Sequence, residues 1–344
     1  MRAETPSATA RLIAAATLLL DASPATRREV APGAADWCRV LLDGSWRDRL
    51  LAASATFAPT RMLWRWLERA TLPGIVSHYW HRKRHIESAC RDALAGGITR
   101  VVIVGAGYDT LALRLAAEFP EVEFLEADHP ATQRAKRAAL GRAAHTQGLP
   151  PNLGFVSCDL AHAALPESCF AGDRATLLIA EGVLMYLPPD GVARHLADWR
   201  ARLAPGSRVM FSFMHRWPDG RSGFRPYSRW IDAWLATRGE PFQWAIAPEH
   251  LAAFVAAAGW SLMRRVGTRA LSPTAAHGPI DGESIAWCVA ARGWVAAAAN
   301  VRRAAVGVPV PVKPPASASP PPAATPAHPH HPHPSPSAAS MSGR

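Results

Sequence analysis

From Arg100 onward the chain alternates between two textures, and this restricts the fold more than any other feature of its 344 residues. "RVVIVG" is a short, β-branched apolar run, and "YDTLALRLAAEF" after it has apolar residues three and four apart. "VEFLEAD" and "PATQRAKRAALGRAA" repeat the pair. "LGFVSCDL" reads as a third strand, "RATLLIAEG" as a fourth ahead of the helix "PDGVARHLADWRARLAPG", and "SRVMFSFM" as a fifth. Further on, "PEHLAAFVAAAGW" reads as a helix and "ESIAWCVAAR" as a strand. Strands that are apolar on every residue are buried on both faces, as in parallel sheets. Alternating strands and helices therefore predict an α/β fold with a mostly parallel, doubly wound sheet.

Residues 1–95 have a different pattern, read as a helical cap. Ser7 is placed to N-cap "ATARLIAAATLLLDA", and "AADWCRVLLDG", "PTRMLWRWLERA" and "HYWHRKRHIESACRDALAGG" show helical spacing, the last ended by Gly96 and Gly97. The core is expected over 96–300, with a Trp-rich substrate-pocket insertion at about 216–246. Residues 301–344 are rich in Pro, Ala, Ser and His, too poor in apolar surface to order themselves, and are expected to be a disordered tail. Its "HPHHPHP" spaces histidines with prolines that give no fixed ligand geometry, so no metal site is expected.

The apolar run at 12–20 is too short to span a bilayer and lacks the basic start of a secretory signal. Five scattered cysteines without a CxxC pair fit a reducing cytoplasm. The net charge of +11 raises the prior for anionic partners, yet no basic run is interleaved with aromatics in the manner of a nucleic-acid groove. The expected partner is a small molecule, with neither membrane nor nucleic acid, and the oligomeric state is not legible.

The first strand runs into "GAGYDT". Gly105 and Gly107 let the backbone turn sharply, and the following helix points free N–H groups at whatever sits there. The dinucleotide fingerprint needs a glycine where Thr110 stands, and the Asp109 carboxylate would repel a pyrophosphate. That favours S-adenosyl-L-methionine over NAD. Asp128 ends the second strand, where a carboxylate can accept ribose hydroxyls or cap the helix that starts at Pro130. Asp159 and Leu160 end the third strand and could meet an adenine. Glu181 follows five apolar residues at the end of the fourth, so it needs a cationic partner. Ligands bind at the carboxyl ends of such strands, so these acids would share one crevice.

With "RKRHIE", "VVIVGAGYDTLALRL", "EADHPATQRAK", "SCDL" and "EGVLMYLPP", the chain resembles the leucine carboxyl methyltransferase family of S-adenosylmethionine-dependent O-methyltransferases, from about residue 5 to 291. The resemblance implies a Rossmann-like class I methyltransferase fold. It implies that Arg82 pairs with the methionine carboxylate of S-adenosyl-L-methionine, and that Gly105, Gly107 and Asp109 shape the turn beside it. By the same likeness Asp128 is the ribose ligand, Asp159 and Leu160 meet the adenine, Glu181 faces the amino group, and Tyr186 lies at the substrate-facing edge. The family often has Asp at the position of Glu87.

The expected function is methyl transfer to a carboxylate or hydroxyl of a small, possibly polyketide-like metabolite. The alternatives are a non-catalytic binding or scaffold protein, and an NAD-dependent oxidoreductase. A hydroxyl acceptor would need a base, for which His78, His81, His85, His129 and His215 are candidates. Arg82, Lys83 and Arg84 could draw in a substrate carboxylate, or Arg82 alone could face the crevice. Trp217, Tyr227, Trp230 and Trp234 could line an apolar pocket or pack a cap.

Overall fold

The computed structural model describes residues 5–170, 172–271 and 280–291, with the side chains of 144–147 excepted. The expected tail at 301–344 lies outside the described residues.

Strands β1 (Arg100–Val104), β2 (Glu123–Asp128), β3 (Leu153–Ser157), β4 (Thr176–Ala180), β5 (Arg208–Met214), β6 (Trp260–Gly267) and β7 (Glu283–Ala290) form one sheet in the order β3-β2-β1-β4-β5-β7-β6. The pairs among β1 to β5 are parallel, and β7 runs antiparallel between β5 and β6. Alternate residues of β1 feed two cores. Val102 and Val104 join Leu178, Phe211 and Trp199 on one face, while Val101 and Ile103 join Leu177, Ile179 and Leu115 on the other. Burial on both faces explains why these strands read as continuous apolar runs.

The helical start is built from α1 (Ala8–Asp21), α2 (Ala34–Leu41), α3 (Trp46–Thr56), α4 (Ala58–Thr71) and α5 (Ile75–Ala95). The Ser7 hydroxyl accepts the Ala10 N–H at 3.1 Å, as a cap should. Helices α6 (Leu111–Glu118), α7 (Pro130–Gln147), α8 (Pro189–Arg202), α9 (Arg229–Arg238) and α10 (Leu251–Ala257) follow their strands or the insertion. Glu87 on α5 ties two arginines, Arg91 at 3.0 Å and Arg114 of α6 at 2.7 Å, so the cap is pinned to the core by charge as well as by packing.

The chain leaves β1 toward β2 and β3, then crosses back to place β4 on the other side of β1. Loops that leave β1 and β4 diverge there and open a crevice at the carboxyl ends.

Candidate functional site

The crevice holds a cavity walled by the loops after β1 to β4 and roofed by α1 and the turn Gly239–Pro241. Arg82, Gly105, Gly107, Asp109, Asp128, Asp159, Leu160, Glu181 and Tyr186 all line it. Five separate chain segments thus bring the expected residues to one place.

Gly105 and Gly107 have φ of 67° and 51°, the left-handed region that favours glycine. A Cβ on Gly105 would sit 2.6 Å from the Val183 side chain, and one on Gly107 would sit 3.0 Å from the Ala10 Cβ. The bare glycines therefore let the β1 loop close against the β4 loop and α1. The Asp128 carboxylate accepts the Gly107 N–H on one oxygen and the His129 N–H on the other. Each oxygen keeps a second lone pair for a ligand hydroxyl. Asp109 caps α6 by accepting the Leu111 N–H at 2.8 Å, and its other oxygen takes Lys83 Nζ at 2.8 Å. Beneath the turn, Lys136 is fully buried and donates to the Asp109 carbonyl at 2.6 Å while pairing with Glu126 at 2.7 Å. Burial pushes the Glu126 carboxyl up to about 7 in spite of that lysine.

Beside the turn lies a buried ion cluster. Arg82 on α5 donates from Nε to Glu181 at 2.9 Å and from Nη1 to Glu283 of β7 at 2.8 Å. His78, one turn earlier, meets Glu283 at 2.6 Å, and Lys83 reaches Glu181 at 3.2 Å. Burial works to raise the Glu283 carboxyl, but Arg82 and His78 overcome it and hold it down at about 2. Burial likewise opposes the charge on Asp109, and Lys83 overcomes it, leaving that carboxyl well below the usual range. Lys83 loses solvation, yet Asp109 and Glu181 keep it charged above its ordinary value. Arg82 and Lys83 both face the crevice; Arg84 is exposed and donates to the Arg28 carbonyl at 2.9 Å.

On the far side, Asp159 accepts the Ala161 N–H at 3.0 Å and pairs with His162 at 3.0 Å. Burial raises that carboxyl, and those contacts more than reverse it. The Leu160 carbonyl meets His195 Nε2 at 2.8 Å, which fixes the loop after β3. Tyr186 ends a short 3-10 turn, with its ring 5.6 Å from that of Phe242. Burial drives its phenol far above the ordinary value, so it remains a proton donor at neutral pH.

The roof is fastened by Glu240. Its carboxylate accepts the backbone N–H groups of Ala8 and Thr9 at 3.1 Å each, and the Thr9 hydroxyl at 2.5 Å. An acid at a helix N-terminus satisfies orphan donors and the helix dipole together. The Ser7 N–H donates to Thr132 of α7 at 3.1 Å.

Of the candidate bases, only His129 lines the cavity, next to Asp128 and 3.6 Å from Asp159. His78 is committed to Glu283, and His215 meets Ser284 at 2.8 Å. Neither Trp217, Tyr227, Trp230 nor Trp234 reaches the cavity wall; from the insertion it is Gly239, Glu240 and Pro241 that do. Tyr227 and Trp230 are exposed, and Trp244 packs in the core against Phe254. Sequence reasoning missed Lys136, Glu126, Glu240 and Glu283. The only signal was the cost of a buried charge without a local partner.

His129 aside, seven charged side chains are among the described residues that line the cavity, two basic (Arg82, Lys83) and five acidic (Asp109, Asp128, Asp159, Glu181, Glu240). Such a lining suits a ligand that carries an ammonium and a sulfonium with one carboxylate, and repels a pyrophosphate. The sheet order, its reversed β7 and this placement define a class I S-adenosylmethionine-dependent methyltransferase fold.

Residues 31–199 match the leucine carboxyl methyltransferase family. A presumed S-adenosyl-L-methionine-dependent methyltransferase of Mycolicibacterium vanbaalenii is 38% identical over 141 residues, 39% of this chain and 44% of that protein. One of Mycobacterium tuberculosis is 39% identical over 123 residues, 34% of each. Among solved structures, a magnesium protoporphyrin IX methyltransferase from Synechocystis with bound S-adenosylhomocysteine has a TM-score of 0.42 at 13% identity, over 63% of this chain and 87% of that one. The matched region is just under half of the chain, and over it the chain is similar to the leucine carboxyl methyltransferase family and to relatives named as S-adenosyl-L-methionine-dependent methyltransferases. The match spans less than half the length of the curated relatives.

Proposed function

We propose that this protein is an S-adenosylmethionine-dependent O-methyltransferase for a small metabolite, with a carboxylate as the favoured acceptor. The observation that carries the reading is the acid-rich lining, in which Glu181, Asp109 and Asp128 converge on one cavity with Arg82 and Lys83 between them. Arg82 would take the methionine carboxylate, Glu181 the ammonium, Asp128 the ribose hydroxyls, and Asp159 with Leu160 the adenine. The cofactor supplies a methyl group already activated on a sulfonium.

What remains for the protein is to hold an oxygen nucleophile in line and keep water out. Positioning of this kind is worth about 7–11 kcal/mol. A carboxylate needs no base, since it is ionised at neutral pH. Tyr186 offers a phenol that keeps its proton, and His129 is the one histidine among the described lining residues. Tyr186 would therefore orient the acceptor as a donor.

Titration calorimetry with S-adenosylhomocysteine and with NAD tests the reading. S-adenosylhomocysteine binds, NAD does not, and Glu181→Ala weakens binding roughly 10- to 100-fold through loss of a charged hydrogen bond. Binding of NAD, or of neither ligand, overturns it. A panel of carboxylic acids and phenols assayed for methyl incorporation separates the acceptors: a base-labile methyl ester on the acids alone is the expected product.

A further inference from the structure

The large apolar side chains that face water are not scattered. Among the described residues, seven of the ten exposed large apolar side chains, Trp46, Leu50, Phe57, Met62, Leu63, Trp66 and Leu67, fall on α3, on α4 or at the joint between them. The two helices meet at Phe57, the C-cap of one and the N-cap of the other. No residue of α4 is fully buried. The helix is attached to the body by polar hooks. Arg61 donates to the Ala22 carbonyl, Trp64 to the Ser54 hydroxyl, and Glu68 accepts the Val76 N–H.

At 3.6 residues per turn, Met62, Trp66, Leu63 and Leu67 cover an arc of about 140°. Their exposures are 74%, 62%, 53% and 45%, so the arc stands proud of the surface. Arg65 and Arg69 flank it, and Arg47 is exposed on α3. The acids of the hairpin do not offset them in the outward direction. Asp48 is buried against Arg11 of α1, and Glu68 turns inward to α5. Among the described residues, Arg49 alone of the outward arginines forms an ion pair, with Asp43 at 3.4 Å.

We infer that the α3–α4 hairpin docks this protein on an anionic lipid surface, with the Met62–Leu67 arc at the acyl boundary and its arginines among the headgroups. A ridge with Trp, Leu and Met on one side and arginine beside it is the pattern of interfacial helices. Charge complementarity selects the lipid. A second copy would bring one row of arginines against another, and a protein partner would need a groove for the ridge. The sequence led us to expect no membrane contact because no segment spans a bilayer, and among the described helices none is long and apolar enough to cross one. Lying on a surface does not require spanning. The Arg11–Asp48 pair links this hairpin to α1, which roofs the cavity. The site would thus open close to the lipid phase.

Cosedimentation of the full chain with vesicles of phosphatidylcholine alone, and with phosphatidylglycerol added, tests the inference. The protein should pellet with the anionic vesicles only. The double variant Trp66→Ser, Leu67→Ser should lower the partition coefficient by more than about tenfold. The double variant Arg65→Gln, Arg69→Gln should lower it by roughly 25-fold, about fivefold for each arginine. Both should keep the thermal unfolding midpoint of the wild type, which separates lost docking from lost folding. Failure to pellet with anionic vesicles overturns the inference. So does equal binding by the variants, and so does light scattering that shows a dimer which the apolar double variant dissolves.

Discussion

The cavity and the α3–α4 hairpin carry opposite charge and hold it in opposite ways. In the cavity, acids outnumber bases, and both bases are largely buried and matched: Arg82 to Glu181 and Glu283, Lys83 to Asp109 and Glu181. On the hairpin, bases dominate, stand in water and have few partners. The chain's net charge of +11 describes the second region and misdescribes the first. Net charge therefore speaks to what the exterior meets, and only a map of buried pairs speaks to what the site binds.

The contrast can be broken most forcefully at Arg82. Arg82→Ala strands Glu181 and Glu283 in a buried setting and should cost about 3–5 kcal/mol in chemical denaturation. A loss below about 1 kcal/mol would mean that water already reaches the cluster. Acid should act next. Glu283 has its pKa lowered from 4.5 to about 2, and Asp109 is also depressed. Groups depressed by folding lend stability above their unfolded pKa and lose it as pH falls through the folded one. Stability should thus drop between about pH 5 and 2, and Glu283→Gln should flatten that slope. Salt sharpens the comparison further. Raising it from about 0.1 to 0.5 M should release the hairpin from anionic vesicles while leaving S-adenosylhomocysteine affinity nearly unchanged, because buried pairs are screened least. The smallest effect is on folding at the hairpin: Trp66→Ser should shift stability by no more than about 0.5 kcal/mol.

Much of the fold was legible because burial and periodicity agree in β1, β2, β4 and α1. Strand β6 was not. It is an outer strand with Ser261, Arg264 and Arg265 exposed and a register shift between Leu262 and Arg264, so it shows neither a continuous apolar run nor a clean alternation. Helix α3 was missed because Trp46 and Leu50 face water, so its apolar residues mark no inward face. The residues at strand ends that line the cavity were readable from position. Glu283 was not, since its partner Arg82 lies 201 residues away and a glutamate at the start of a strand has no local signature. Lys136 looks like any helical lysine until the packing buries it.

Helix α1 is held at its two halves by different forces. From Ala14 to Leu20 every side chain is buried, while the first turn rests on hydrogen bonds to Glu240 and Thr132. Apolar contact anchors the helix, and a handful of directional bonds shuts its leading edge over the cavity. The leading edge of the roof thus depends on directional bonds, and the rest of the helix on burial. One carboxylate, Glu240, secures the front of the roof from a place far along the chain from the strand ends that form the cavity floor.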